Sequence, residues 1–402
     1  MKIEKLDYYG RGISRSSGKV YFIENALKDE DVSITLLKEK KKYCEAKSKE
    51  ISNISKDRTE AKCKYYNICG GCQLMHIKEE KQEEFKKEKV EEILKKFLNY
   101  NKDVNDIVFS KNFNYRNKVV LHVKDNKLGF YKNKTNELIE IDKCLLLNPV
   151  INDLISYLKN YIELKDIEKI TIKVGNKTNE VMLIIDGNIA KYQNLLEIVD
   201  VLIINEKVMT TKDYITSYIG NKKYIIKRNS FFQVNYDIST RMYDKIKDII
   251  VKEKSKSVLD LYCGTGTIGI YISDVVSKIT GIEVVSDAIE SANTNKKINN
   301  VENIEFILGK VEDKLDFISN NNIDTIIVDP PRSGLHKKVI PILEKISPKI
   351  VIYVSCDPIT MARDIKLLSN DYELVEVTPY DMFPNTYHVE CVSVLHRKSL
   401  EK

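Results

Sequence analysis

The chain is expected to be an α/β protein in three parts: a small OB-like β-barrel at the front, an α+β middle section and a Rossmann-like doubly wound sheet at the back. Three observations predict this. From about residue 225, apolar β-type runs alternate with helical stretches, the signature of a parallel sheet with crossover helices. Before residue 50, short β-like runs are separated by glycines. The 402 residues, 43% of them hydrophobic, are too many for one ordinary core and enough for several. The expected boundaries are 1–55, 56–225 and 226–402.

In the front part, 19–23 and 32–37 read as strands, with Gly10, Gly12 and Gly18 as turn residues. Tyr8, Tyr9, Arg11, Arg15, Lys19 and Tyr21 mix aromatic and basic character, which suits an RNA-binding face and equally a plain barrel with scattered surface charge. Residues 40–58 are polar and read as a linker. The stretch 77–98 is helical, charged throughout, with a narrow apolar stripe of Phe85, Val90, Ile93, Leu94 and Phe97. Strands and hairpin turns are expected over 113–142, including 118–123, and again at 170–174 and 181–185. In the back part the expected strands are 257–261, 279–284, 304–308, 325–328, 350–354, 374–378 and 391–396, with helices at 236–251 and 289–299. The last two strands are joined by the helix-free loop 379–389, which predicts an antiparallel pair at one side of the sheet.

Composition narrows the function classes. No apolar run is long enough to span a bilayer, and the first residues lack the apolar core of a secretory signal, so a cytoplasmic home without membrane contact is expected. In that compartment the eight cysteines are poor candidates for structural disulfides, and metal binding or catalysis should claim some of them. The net charge of +6 is unevenly spread: residues 1–150 carry a net +8 and residues 151–402 a net −2. A basic front on a near-neutral back suggests a front that meets a polyanion and a back that does chemistry.

Four motifs lie at ends of the predicted strands in the back part. Lys349 to Pro358 is a buried-type strand ending on Ser355-Cys-Asp-Pro358. Pro358 cannot continue the ladder, so Cys356 sits on a turn facing the ligand crevice, as a nucleophile or as a packed thiol. Asp260-Leu-Tyr-Cys-Gly-Thr-Gly-Thr-Ile-Gly269 follows the first strand and opens a helix, and its glycines allow close approach of a ligand. It contains the dinucleotide pattern G-x-G-x-x-G, so NAD and S-adenosylmethionine both remain open, and Glu283, placed to hold a ribose, serves either. Asp329-Pro-Pro-Arg332 closes the fourth strand with a rigid turn that shapes a slot for a planar base. Glu390, at the start of the last strand, is placed to act as a base or to be solvated.

A further constellation lies outside the back part. Cys63, Cys69 and Cys72, bent around Gly70 and Gly71, with the distant Cys144, suit a [4Fe–4S] cluster better than zinc, because zinc ribbons favour two CxxC pairs.

Together, Phe231-Phe-Gln-Val-Asn235, Asp260-Leu-Tyr-Cys-Gly-Thr-Gly266, Asp329-Pro-Pro-Arg332, Ser355-Cys-Asp-Pro358 and Asp381-Met-Phe-Pro-Asn-Thr-Tyr-His-Val-Glu390 resemble the RNA 5-methyluridine methyltransferase family. Residues 1–50 resemble the TRAM domain of its ribosomal-RNA members, and the four cysteines match their cluster ligands in order and spacing. The resemblance implies Cys356 as nucleophile and Glu390 as general base. It implies Gln233, Tyr262, Glu283, Asp329, Thr267 and Lys310 as contacts of S-adenosylmethionine, although at Thr267 some relatives carry asparagine. It further implies a structural [4Fe–4S] cluster on Cys63, Cys69, Cys72 and Cys144, a monomer needing no protein partner, and 23S ribosomal RNA as substrate. Two rivals stand beside it: a Rossmann oxidoreductase, which has no use for a Cys356–Glu390 pair, and a non-catalytic RNA-binding iron–sulfur protein.

Overall fold

The computed structural model describes residues 1–314 and 322–398. At the front, β1 (Lys5–Leu6), β2 (Gly12–Ser16), β3 (Lys19–Glu24), β4 (Asp31–Glu39) and β5 (Tyr43–Ser52) form a five-stranded sheet in the order β1-β2-β3-β5-β4. An isolated bridge between Lys2 and Asp31, rather than a further ladder, joins its two sides around Ile3, Ile23, Ala26, Val32 and Ala46. The expected linker at 40–58 is corrected here: most of it is β5. Only Cys44 and Ala46 of that strand are buried, so its outward polar residues dominate the composition and disguise a one-sided strand.

Helix α1 (Glu79–Leu98) follows, ended by Asn99 in the left-handed conformation. The middle section then builds a second sheet from β6 (Lys118–Lys124), β7 (Lys127–Tyr131), β8 (Leu138–Glu140), β9 (Ile167–Val174), β10 (Val181–Gly187), β11 (Val201–Ile204) and β12 (Lys207–Val208), ordered β12-β11-β10-β9-β6-β7-β8. Helix α2 (Pro149–Tyr161), which lies between β8 and β9, is an addition to the expected elements. Its start is marked by Asn148, whose side chain accepts from Val150 N, and by a proline in the first turn. Ile151, Ile155 and Leu158 of α2 pack on one face of this sheet. Ile184 and Ile203 on the other face meet the hairpin of β13 (Tyr214–Ile219) and β14 (Lys222–Lys227).

The C-terminal part is the doubly wound α/β unit. It comprises α3 (Tyr236–Lys252), β15 (Ser257–Leu261), α4 (Thr267–Ile272), β16 (Lys278–Glu283), α5 (Ser286–Ile298), β17 (Ile304–Leu308), β18 (Thr325–Val328), α6 (Val339–Ile346), β19 (Ile350–Ser355), α7 (Pro358–Leu368), β20 (Tyr372–Tyr380) and β21 (Glu390–Arg397). The strand order is β17-β16-β15-β18-β19-β21-β20, parallel as far as β19, with β21 antiparallel to both its neighbours. The expected antiparallel pair is therefore present at one side. Among the described residues no helix is long and apolar enough to cross a membrane.

Helix α1 packs against this C-terminal sheet. Val90, Ile93 and Leu94 join Val351, Tyr353, Met361 and Ile365 in one apolar cluster. The same helix also buries Gln82, Lys86 and Lys89, which a purely apolar stripe does not foretell. Lys86 and Asp381 form an ion pair with side chains 0% and 2% exposed. Removing one partner of such a pair leaves an uncompensated buried charge. Lys86→Met should therefore cost about 3–5 kcal/mol in urea unfolding, whereas Lys86→Met combined with Asp381→Leu should recover most of that loss. Equal losses for the single and double variants would contradict the pairing.

Candidate active site

Five parallel strands end along one edge, and the order β17-β16-β15-β18-β19 reverses between β15 and β18. The crevice outside that reversal is where open α/β sheets bind ligands. Tyr262 follows β15, Glu283 ends β16, Lys310 lies just beyond β17, Asp329 follows β18 and Cys356 follows β19. Strand β21 runs the other way, so its first residue, Glu390, starts at this same edge. In its ladder with β19, Ser355 lies opposite Cys391. Cys356, just past the end of β19, and Glu390, just before Cys391, leave that last rung together, and Cys356 feels the charge of Glu390.

The local chemistry fixes this turn. Asp357 caps α7, accepting from Ile359 N at 2.8 Å and Thr360 N at 3.3 Å, and Pro358 opens the helix. Ser355 Oγ receives Asp357 N at 3.1 Å and donates to Asp357 O at 2.9 Å. Cys356 is held between these anchors, half-buried. Burial pushes its thiol up to about 11, with repulsion from Glu390 adding to the rise and the Arg332 guanidinium opposing it. Glu390 is buried, and its carboxyl is pushed up to about 8 by burial and by Asp329, again against Arg332. Burial likewise raises Asp329 to about 7. Asp260, 1% exposed, rises to about 8 through burial and then Asp329, and neither of its carboxyl oxygens has a hydrogen-bond partner.

Around this acidic floor, Tyr262 has a positive φ of 64°, an uncommon conformation for a bulky residue and one associated with functional turns. Gly264, also at positive φ, faces open space: a Cβ there would meet nothing within 4 Å. Glu283 is steered by three backbone donors, with Oε2 accepting from Gly264 N at 3.1 Å and Oε1 from Val284 N and Val285 N at 2.8 and 2.9 Å. Gln233 sits in the turn before α3, its carbonyl accepting from Asn117 Nδ2 at 2.9 Å. Thr267 starts α4, but its hydroxyl is 3.0 Å from Tyr243 OH and so is already engaged. Lys310 is exposed at the rim.

The four cysteines of the front and middle line one cavity of about 520 Å³, with Arg116, Lys118 and Lys143 among the other lining residues. All four are free thiols. Burial raises Cys69, Cys72 and Cys144, and each also feels the negative charge of its neighbours in the set. Among the described residues, no group of three or more His, Cys, Asp or Glu side chains is arranged to hold a metal ion, so the cupped arrangement expected from the spacing is only partly met.

A family profile described as tRNA (uracil-5-)-methyltransferase matches residues 188–398. An RNA methyltransferase of Clostridium acetobutylicum is 34% identical over 98% of this chain and 96% of its own length. One from Staphylococcus aureus is 32% identical over 98% and 96%. The chain belongs to the RNA uracil-5-methyltransferase family. A solved tRNA (uracil-54, C5)-methyltransferase of Pyrococcus abyssi, in complex with S-adenosyl-L-homocysteine, is similar throughout, with a TM-score of 0.81, 28% identity and coverage of 98% of this chain and 99% of that one.

A family member of this kind is a transferase dependent on S-adenosylmethionine, and the crevice fits that cofactor. Asp260, Asp329 and Glu390 are acids whose burial disfavours their charged forms, and the Asp260 carboxylate has no cation paired with it. A cationic sulfonium compensates such a floor, while the open Gly264 turn and the steered Glu283 suit its nucleoside. Two contributors went unassigned in the sequence. Asp260 opens the glycine motif there but is given no role of its own. Arg332 is visible in its motif, but its role emerges only when β18, β19 and β21 bring it near Cys356 and Glu390. Alkylation of Cys356 by iodoacetamide, followed by peptide mass spectrometry, should accelerate as pH rises toward about 11, because only the thiolate reacts. Arg332→Gln should slow it at any fixed pH, and a rate indifferent to both changes would count against this electrostatic picture.

Proposed function

We propose that this protein methylates C5 of uridine in RNA through a covalent adduct on Cys356, and that Glu390 removes the C5 proton. The meeting of Cys356 and Glu390 at the ligand edge, each beside the Ser355–Cys391 rung of β19 and β21, is the observation that carries this reading. C5 of uracil is a weak nucleophile toward a methyl sulfonium. Addition of the Cys356 thiolate to C6 turns the ring into an enolate whose carbanionic carbon is C5. S-adenosylmethionine, when bound, supplies the methyl group as an electrophile. Glu390 then takes the C5 proton, the electron pair re-forms the C5–C6 double bond, and the C6–S bond breaks to return the thiolate. Arg332 favours the anionic sulfur at both ends of the cycle.

Gln233, Tyr262, Glu283 and Asp329 are the residues we assign to S-adenosylmethionine. Lys310 is assigned a weaker contact at the rim, and Thr267 one through its backbone, since its hydroxyl is committed to Tyr243. Reaching C6 requires the base to leave its stack, so the front sheet and the middle section, residues 1–55 and 56–225, are assigned to RNA. Domain content favours 23S ribosomal RNA. The Pyrococcus abyssi structure supports a second reading, transfer RNA, since that tRNA enzyme matches this chain over the front part as well. The cysteine cavity is where we place a [4Fe–4S] cluster on Cys63, Cys69, Cys72 and Cys144: four half-buried thiols share one space with cationic side chains that offset thiolate charge.

Incubation with methyl-labelled S-adenosylmethionine and unmodified 23S ribosomal or transfer RNA tests the substrate. Label at C5 of a 23S uridine is expected, and label confined to transfer RNA would replace that assignment by the second reading. Cys356→Ala should abolish transfer while cofactor binding persists; retained turnover would overturn the mechanism. Protein purified without air should be brown and contain iron and sulfide in equal amount, with colour lost in Cys69→Ser. A colourless preparation would remove the cluster.

A further inference from the structure

The loop 381–389, which delivers Glu390, is held almost entirely from outside. Asn385 is at its centre, at a positive φ of 67°. Its carbonyl accepts from Gln73 N and Leu74 N, both at 3.0 Å, and its N–H donates to Gln82 Oε1 at 3.1 Å. Its side-chain amide donates to Asn112 O at 2.9 Å, and Gln82 Nε2 approaches its Oδ1 at 3.5 Å. On either side, Lys86 Nζ donates to Phe383 O at 3.1 Å, Tyr115 OH to Pro384 O at 3.2 Å and Lys89 Nζ to Tyr387 O at 2.9 Å.

Every one of these partners comes from residues 73–115. Gln73 and Leu74 directly follow Cys72, so the backbone leaving the cysteine cavity is bonded to the loop that carries the base. Asn385 is 2% and Gln82 3% exposed, so these bonds do not compete with water.

We propose that Gln82 and Asn385 form a positioning latch: helix α1 and the segment after Cys72 set the place of Glu390, and so govern proton removal from C5 rather than the earlier addition of Cys356. The segregation is geometric. Cys356 is anchored by Asp357 and Ser355 on the β19–α7 turn, to which neither Gln82 nor Asn385 is bonded, although α1 packs on α7 further along. Glu390 enters its strand directly from the latched loop. A base displaced by a fraction of an ångström still lies in the site but takes the proton slowly.

This inference rests on the proposed mechanism, and one single-turnover experiment separates the two. Full-length protein is mixed with methyl-labelled S-adenosylmethionine and RNA carrying tritium at C5 of uridine. Entry of the methyl label into RNA is followed beside tritium release and the protein–RNA adduct that survives denaturation. Two variants are used: Gln82→Met, and Asn385→Gly, which keeps the left-handed backbone at no steric cost. In both, methyl entry should proceed at the wild-type rate, while tritium release slows by about tenfold and methylated adduct accumulates. Glu390→Gln should show the same split more severely, by about 10²-fold or more. Hydrogen exchange of the amides of 383–390 should also rise in Gln82→Met.

Equal slowing of both rates, or no change in either, would overturn the latch. Absence of methyl entry in the wild type would instead overturn the mechanism beneath it.

Discussion

The structure turns on one register. Because β21 runs antiparallel to β19 with Ser355 opposite Cys391, a thiol at the end of one strand and a carboxylate at the start of another meet at the ligand edge. A slip of one residue would send Glu390 to the other face of the sheet. Burial on both sides forbids that slip, since Val392 and Val394 pack into one core cluster and Cys391 and Leu395 into the other. The proposed catalytic pair thus takes its placement from ordinary apolar packing.

The same placement creates an electrostatic problem that the chemistry uses. Asp260, Asp329, Glu390 and Cys356 are acids drawn together away from water, with Arg332 the cation acting on both members of the pair. Burial raises all four, so the free protein holds its protons more tightly than its chemistry requires. A cationic group bound beside these acids would favour their ionised forms.

Much of the C-terminal sheet was legible in the sequence. Its strands are apolar runs of the right length, and the helix-free loop before β21 announced the antiparallel pair. The candidate site residues Tyr262, Asp329 and Cys356 stand out in the sequence because Gly264, Pro330 and Pro358 mark the strand ends beside them. Three things were not legible. Strand β5 buries only Cys44 and Ala46, so its polar surface read as a linker. Helix α2 carried a cap signal at Asn148 and Pro149 that the apolar pattern around it obscured. The buried polar face of α1 was invisible, because the groups that satisfy Gln82 Oε1, Lys86 and Lys89 lie about 300 residues away in sequence and no local periodicity encodes them. Long-range polar partners are what a period cannot show.

The account stands most directly on covalent chemistry at Cys356. RNA in which the target uridine is replaced by 5-fluorouridine allows addition and methyl transfer, but its C5–F bond cannot be released to a base. With S-adenosylmethionine, the protein should be captured as a complex that survives denaturation, and digestion should yield the peptide spanning residues 350–363 with a methylated fluorouridine on Cys356. Failure to capture any complex with an RNA that is otherwise methylated, or attachment at Cys391 or another cysteine, would contradict it.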